Sequence, residues 1–158
     1  MEKLFQIGDF VSHAGINLAW KVECDALDED DWKAIARMLM DYQTRPFCDV
    51  TGIPRGGLPL AKALKPYASG NTTSHYALVV DDVYTTGMSF REHLDTEHLW
   101  TGISKEYSYV YKWVAFARNP PSRSSGVQAL FTMPKQPDFS EVQRQNEMIE
   151  KWEGQGLS

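Results

Sequence analysis

Two adjacent carboxylates, Asp81 and Asp82, follow the apolar run Ala77-Leu78-Val79-Val80 and stand immediately before Val83-Tyr84-Thr85-Thr86-Gly87-Met88-Ser89. Leu78 to Val80 have the character of a buried parallel strand, and Phe90 to Leu99 read as a helix, so the segment between them is a strand-to-helix turn. Amides from Val83 to Gly87 would be unpaired donors at the helix N-terminus, where the macrodipole favours an anion, and the hydroxyls of Thr85, Thr86 and Ser89 add donors. Such a turn suits a phosphate. The acids want a different group, because against the same phosphate they would bring like charges together. One strand residue apart, roughly 3.3 Å of rise, they suit neighbouring hydroxyls, as in the 2′ and 3′ positions of a ribose whose 5′-phosphate occupies the turn.

A second segment, Asp49-Val50-Thr51-Gly52-Ile53-Pro54-Arg55-Gly56-Gly57-Leu58-Pro59-Leu60-Ala61, has the same strand, loop and helix order. Gly52, Gly56 and Gly57 permit positive φ and close approach of main chain to a ligand, while Arg55 offers a fixed fork of donors for phosphate oxygens. Pro59 falls where an opening helix tolerates proline. Neither a Walker pattern nor Gly-x-Gly-x-x-Gly is present, which removes the anchor of ATPase and dinucleotide readings.

The elements around these loops can be traced from pattern. Ile16, Leu18, Trp20, Val22 and Cys24 alternate with polar or small neighbours as a half-buried strand, entered through Gly15. Asp28 to Tyr42 reads as an amphipathic helix with Asp28 as N-cap and Trp32, Ile35, Ala36 and Leu39 on one face. Phe47 to Thr51 is the first core strand, Leu58 to Lys65 a helix, Ala77 to Asp82 the second strand, Tyr109 to Ala117 the third and Val127 to Met133 the last. Right-handed crossovers would make these strands parallel, with ligands beyond their C-terminal ends. Asp138 to Trp152 reads as a terminal helix with Asp138 and Glu141 at capping-box spacing.

At 158 residues the chain is expected to be one domain. It divides into N-terminal strands at 1–26, a core at 27–133 and a C-terminal segment at 134–158. A net charge of −5 without a basic run argues against a nucleic-acid surface. No stretch suits a membrane span, and two cysteines without a leader-like N-terminus point to a reducing cytoplasm. His93 and His98, five apart, do not share a helix face as a zinc pair would, and no Gly-x-Ser-x-Gly marks a hydrolase.

The segment 77–89 closely resembles the phosphoribosyl-pyrophosphate (PRPP) motif of type I phosphoribosyltransferases: a hydrophobic strand, two acids and a Thr-Thr-Gly turn. The stretch Ile7-Gly8-Asp9-Phe10-Val11-Ser12-His13-Ala14-Gly15 with the strand after it is similar to the entry hairpin of orotate phosphoribosyltransferases. That resemblance implies an α/β fold with a mostly parallel sheet flanked by helices, under a small hood from the N-terminal hairpin and C-terminal segment. It implies a pentosyltransferase that moves the phosphoribosyl group of PRPP to a nucleobase, with pyrophosphate leaving, in nucleotide metabolism or salvage. By the same resemblance Val83, Tyr84, Thr85, Thr86, Gly87 and Ser89 hold the ribose phosphate, and Arg55, Gly56 and Gly57 hold pyrophosphate. Asp81, Asp82 and Arg55 are the catalytic candidates. Mg²⁺ arrives with PRPP, with Asp81 and Asp82 as its candidate protein ligands. Arg118, after the third strand, and Trp20, in the hairpin, are the base-binding candidates, and a homodimer is implied.

Two departures accompany the resemblance. Ile16, Asn17 and Leu18 stand where basic and serine residues commonly follow the hairpin turn, and an aromatic pair is reduced to Trp20-Lys21. The family's mobile lid has only residues 68–75 to draw on here, and these contain neither lysine nor arginine. An open site lacking a lid cation would favour hydrolysis over transfer, so a non-catalytic protein that binds PRPP or a nucleotide is the alternative.

Overall fold

The computed structural model describes residues 2–11, 15, 17–69, 76–95, 109–133, 147–152 and 154. Strands β1 (Phe5–Val11) and β2 (Asn17–Val22) pair as an antiparallel hairpin, with Gly15 between them at a φ of 76°. Helix α1 (Glu29–Tyr42) starts where the pattern places it. Asp28 accepts the Asp31 N–H at 2.8 Å and Asp31 accepts the Asp28 N–H at 2.9 Å, a reciprocal cap reinforced by three acids in the first turn. Trp32, Ile35, Ala36 and Leu39 form its buried stripe.

The core is a four-stranded parallel sheet of β3 (Asp49–Gly52), β4 (Tyr76–Tyr84), β5 (Tyr109–Ala117) and β6 (Val127–Thr132), laid side by side in chain order. Helix α2 (Leu58–Leu64) follows β3, and α3 (Met88–Asp95) follows β4. The latter begins two residues earlier than its apolar pattern suggests, because Thr86 Oγ1 accepts the Met88 N–H at 3.4 Å and so helps to cap the opening turn. Residues 147–152 are helical, whereas the expected cap at Asp138 and Glu141, and His98, lie outside the described residues. Among the described residues no helix is long and apolar enough to cross a membrane.

Side chains alternate along β4 and β5 into two cores. Leu78, Val80, Trp113 and Ala115 meet Trp32, Leu39, Leu60 and Leu64 of α1 and α2, while Val79 and Val114 meet Phe90 of α3 on the other face. Trp113 Nε1 donates to Gln43 Oε1 at 2.9 Å, tying the end of α1 to β5 without leaving a buried polar group unpaired.

The strands step in one direction across the sheet, yet α2 covers one face and α3 the other. A path that is right-handed over one face is left-handed over the opposite face, so these two connections have opposite hands. This corrects the uniform right-handed winding expected from sequence. Replacing Asp28 by Ala is expected to cost about 1 kcal/mol through loss of the cap, measured as a lowered midpoint in urea unfolding with an unchanged slope.

Candidate active site

Neighbouring parallel strands whose chains leave toward opposite faces open a crevice beyond their C-terminal ends. Here that crevice lies between β3 and β4. Its first wall is the loop 53–57, held by Ile53 N–H to the Val80 carbonyl at 2.9 Å, Gly57 N–H to the Ile53 carbonyl at 2.8 Å and Leu58 N–H to the Arg55 carbonyl at 3.2 Å. None of Gly52, Gly56 and Gly57 has positive φ, contrary to the use expected for them. Contact explains Gly56 instead: a Cβ there would sit 2.5 Å from the Asp82 carboxyl carbon, so the loop rests directly on that carboxylate. Arg55 is exposed and, among the described residues, forms no ion pair.

The second wall is the turn after β4. Gly87 has a φ of 78°, and a Cβ there would lie 3.0 Å from the Tyr84 ring, which fills the space beneath the turn. Val83 and Tyr84 belong to β4, and the Val83 N–H donates to Asp82 Oδ1 at 2.7 Å. The open part of the turn is therefore Thr85, Thr86 and Gly87. A cleft of about 160 Å³ is lined by these residues with Asp81, Ser89, Phe90 and Glu92. Glu92 escapes a motif reading because it enters the lining only through the first turns of α3.

The two acids face different spaces, as successive strand residues do. Asp81 borders the turn's cleft, while Asp82 borders a hollow of about 1030 Å³ shared with Arg55, Gly56, Cys24 and the facing parts of α1 and α2. The pleat is interrupted just beyond them: Val80 and Val83 both contact the larger core, and Val79 and Tyr84 the smaller. Asp81 is only 5% exposed, and burial first, then the Asp82 charge and side-chain hydrogen bond, push its carboxyl up to about 8. Burial chiefly, with the nearby acids, likewise raises the Cys24 thiol and keeps it from ionising beside Asp82. Cys24 was not legible as a site residue, since it reads as one more apolar position of a strand.

Trp20 and Arg118, 98 residues apart, are brought together. The guanidinium lies 4.1 Å from the centre of the Trp20 ring and donates to the Trp20 carbonyl at 2.6 Å. Arg118 follows β5 directly, so this contact seats the hairpin over the crevice end of the sheet. The side chain is 5% exposed, and burial lowers the guanidinium's pKa.

The donor set at the crevice fits a hard divalent cation at Asp82, a half-buried carboxylate opening onto the hollow. Asp81, whose carboxyl burial and the Asp82 charge raise to about 8, would give up its proton on joining such a site. Among the described residues the group of three acids close enough to share an ion is Glu2, Glu23 and Asp25, at the hairpin rather than at the turn.

Solved structures that superpose on this chain include phosphoribosyltransferases. Orotate phosphoribosyltransferase from Aeropyrum pernix superposes with a TM-score of 0.63 at 23% identity, over 82% of this chain and 88% of that one. Orotate phosphoribosyltransferase from Mycobacterium tuberculosis H37Rv in complex with inorganic phosphate gives 0.55 at 18% identity, over 80% and 86%. A phosphoribosyltransferase from Corynebacterium diphtheriae gives 0.55 at 15% identity, over 73% and 84%. The chain therefore has the type I phosphoribosyltransferase fold, in its orotate phosphoribosyltransferase-like form. Neither a protein-family model nor a curated protein sequence matches it.

Two outcomes follow from this geometry. A carboxyl whose folded-state pKa is raised stabilises the fold fully below its unfolded value, near 4, and loses that contribution as pH climbs through its folded value of about 8. Asp81→Asn, neutral at every pH, should thus match the wild type in thermal midpoint near pH 4 and exceed it increasingly toward pH 8. Arg118→Ala should cost about 2–3 kcal/mol, from the lost ion–ring contact and charge-assisted bond, read by chemical unfolding.

Proposed function

We propose that the protein is a phosphoribosyltransferase acting on PRPP, releasing pyrophosphate and joining the phosphoribosyl group to a nucleobase. The observation that carries this reading is the contact of Gly56 with Asp82, which brings the Arg55 loop to one side of the acid pair while the turn of Thr85 to Gly87 lies on the other.

The acids divide the work. Asp82 faces the hollow and accepts from the ribose hydroxyls, and its charge stabilises the cationic ring that forms as the bond to pyrophosphate breaks. Asp81 stands in the turn's cleft, where an ionised carboxylate would repel the 5′-phosphate. Its raised pKa keeps it a neutral donor there and so removes the conflict. Thr85, Thr86, Gly87 and Ser89 supply the remaining donors to the phosphate, with Val83 and Tyr84 shaping the turn from beneath. Arg55, Gly56 and Gly57 hold the leaving pyrophosphate. Mg²⁺ bound by the substrate's oxygens and by Asp82 would neutralise leaving-group charge. The Trp20 indole, braced by Arg118, offers the base a face to stack on. A homodimer and a place in nucleotide salvage in the cytoplasm accompany this reading.

A second reading is a binder of PRPP or a nucleotide. It is favoured by the absence of Lys and Arg from 68–75, which leaves the leaving group without a lid cation.

Pyrophosphate release from PRPP, Mg²⁺ and a panel of purines and pyrimidines separates the two. The transferase reading expects release with at least one base, lowered ~10²–10³-fold in Arg55→Ala. PRPP binding without release from any base supports the binder, and loss of neither binding nor release in Asp82→Asn sinks both.

A further inference from the structure

A third cavity, of about 330 Å³, lies behind the turn, between α3, the connection from β5 to β6 and the face of the sheet. It shares Tyr84, Gly87 and Phe90 with the turn's cleft but has its own polar lining: Arg91, Lys112, Ser122, Ser124 and Ser125. Among the described residues no carboxylate borders it.

Both cations sit where local forces disfavour them. Lys112 is half-buried in mid-β5, among Val110 and Val114 on the smaller core's side, a position patterned for an apolar residue. Its Nζ donates to the Ser125 carbonyl at 3.1 Å. Arg91 occupies the opening turns of α3, against the sign the helix dipole prefers, and its guanidinium donates to the Thr86 carbonyl at 3.4 Å. Among the described residues neither is in an ion pair. A half-buried ammonium matched only by a neutral carbonyl is under-compensated and gains from an anion.

The serines are set to help. Ser125 Oγ donates to the Ser122 carbonyl at 2.6 Å and accepts the Val127 N–H at 3.2 Å, which fixes the connection around the cavity. Ser122 Oγ and Ser124 Oγ lie 3.2 Å apart. One of that pair donates to the other, leaving the second hydroxyl hydrogen for a ligand.

We propose that this cavity is a second anion site, which takes a phosphate dianion, free or as the ester end of a small metabolite. It is separate from the ribose-phosphate turn and from the Arg55 loop, and it stands on this face's charges rather than on the transferase reading.

The test is calorimetric titration of the full chain with inorganic phosphate, in the wild type, Lys112→Met, Arg91→Gln, Ser124→Ala and the turn variant Thr85→Val/Thr86→Val. Phosphate should bind at a site that the turn variant keeps and that Lys112→Met and Arg91→Gln weaken at least about tenfold, the loss of a charge-assisted contact. Without phosphate, Lys112→Met should melt no lower than the wild type, since it keeps the stem and removes an unmatched charge. If it melts lower, Arg91→Gln and Ser124→Ala, both at exposed positions, decide the matter. Absence of phosphate binding at millimolar concentrations, or binding abolished by the turn variant and untouched at Lys112 and Arg91, overturns the proposal. Binding lost only at Lys112 and Arg91 upholds it while counting against the turn as a phosphate site. Titrating the turn variant with ribose 5-phosphate identifies the source: retained binding assigns an ester, and its loss with inorganic phosphate still bound assigns the free ion.

Discussion

The constraint on which the molecule turns is that β3 and β4 lie side by side, point the same way and send their chains to opposite faces. Two loops that left toward the same face would lie one over the other and close the space between them. Leaving in opposite directions, they part and expose the ends of both strands. The Arg55 loop is nonetheless tied to β4 by the Ile53–Val80 hydrogen bond, and it settles against that strand at one further point. That point is Gly56 on the Asp82 carboxylate, where the lack of a side chain lets main chain settle against a charged group.

Burial of one acid beside another adds an electrostatic consequence. Two adjacent ionised carboxylates at a strand end would repel each other and any phosphate brought to the turn. The fold resolves this by treating them unequally. Asp81 is enclosed and holds its proton, whereas Asp82 opens to the larger hollow. Strand geometry turns the two to opposite faces, and the helices packed on those faces give each its own surroundings.

Much of this was legible in the chain. Strand β5 runs over the residues its pattern marks, and Asp28 caps α1, because both depend on local periodicity and on side-chain chemistry next to its own backbone. The turn and the Arg55 loop were legible for the same reason. What stayed hidden is non-local. No spacing rule distinguishes the surroundings of Asp81 from those of Asp82, because those surroundings come from α1, α2 and α3. The positive-φ role expected for Gly52, Gly56 and Gly57 failed because glycine serves close contact as readily as unusual dihedrals. The clasp between Arg118 and Trp20 joins positions that only the folded sheet brings together.

Among the described residues strand β3 stands at the margin of the sheet, paired with β4, and α2 returns from it with a hand opposite to that of α3. A strand placed in the chain between α2 and β4 and docked on the outer side of β3 would reverse the direction of the α2 step and bring both connections to the same hand. It would do so without moving the Arg55 loop or the turn after β4, since both are anchored to β4. The margin at β3 can therefore be extended or trimmed while the crevice keeps its walls, which makes the end of the sheet modular and its middle fixed.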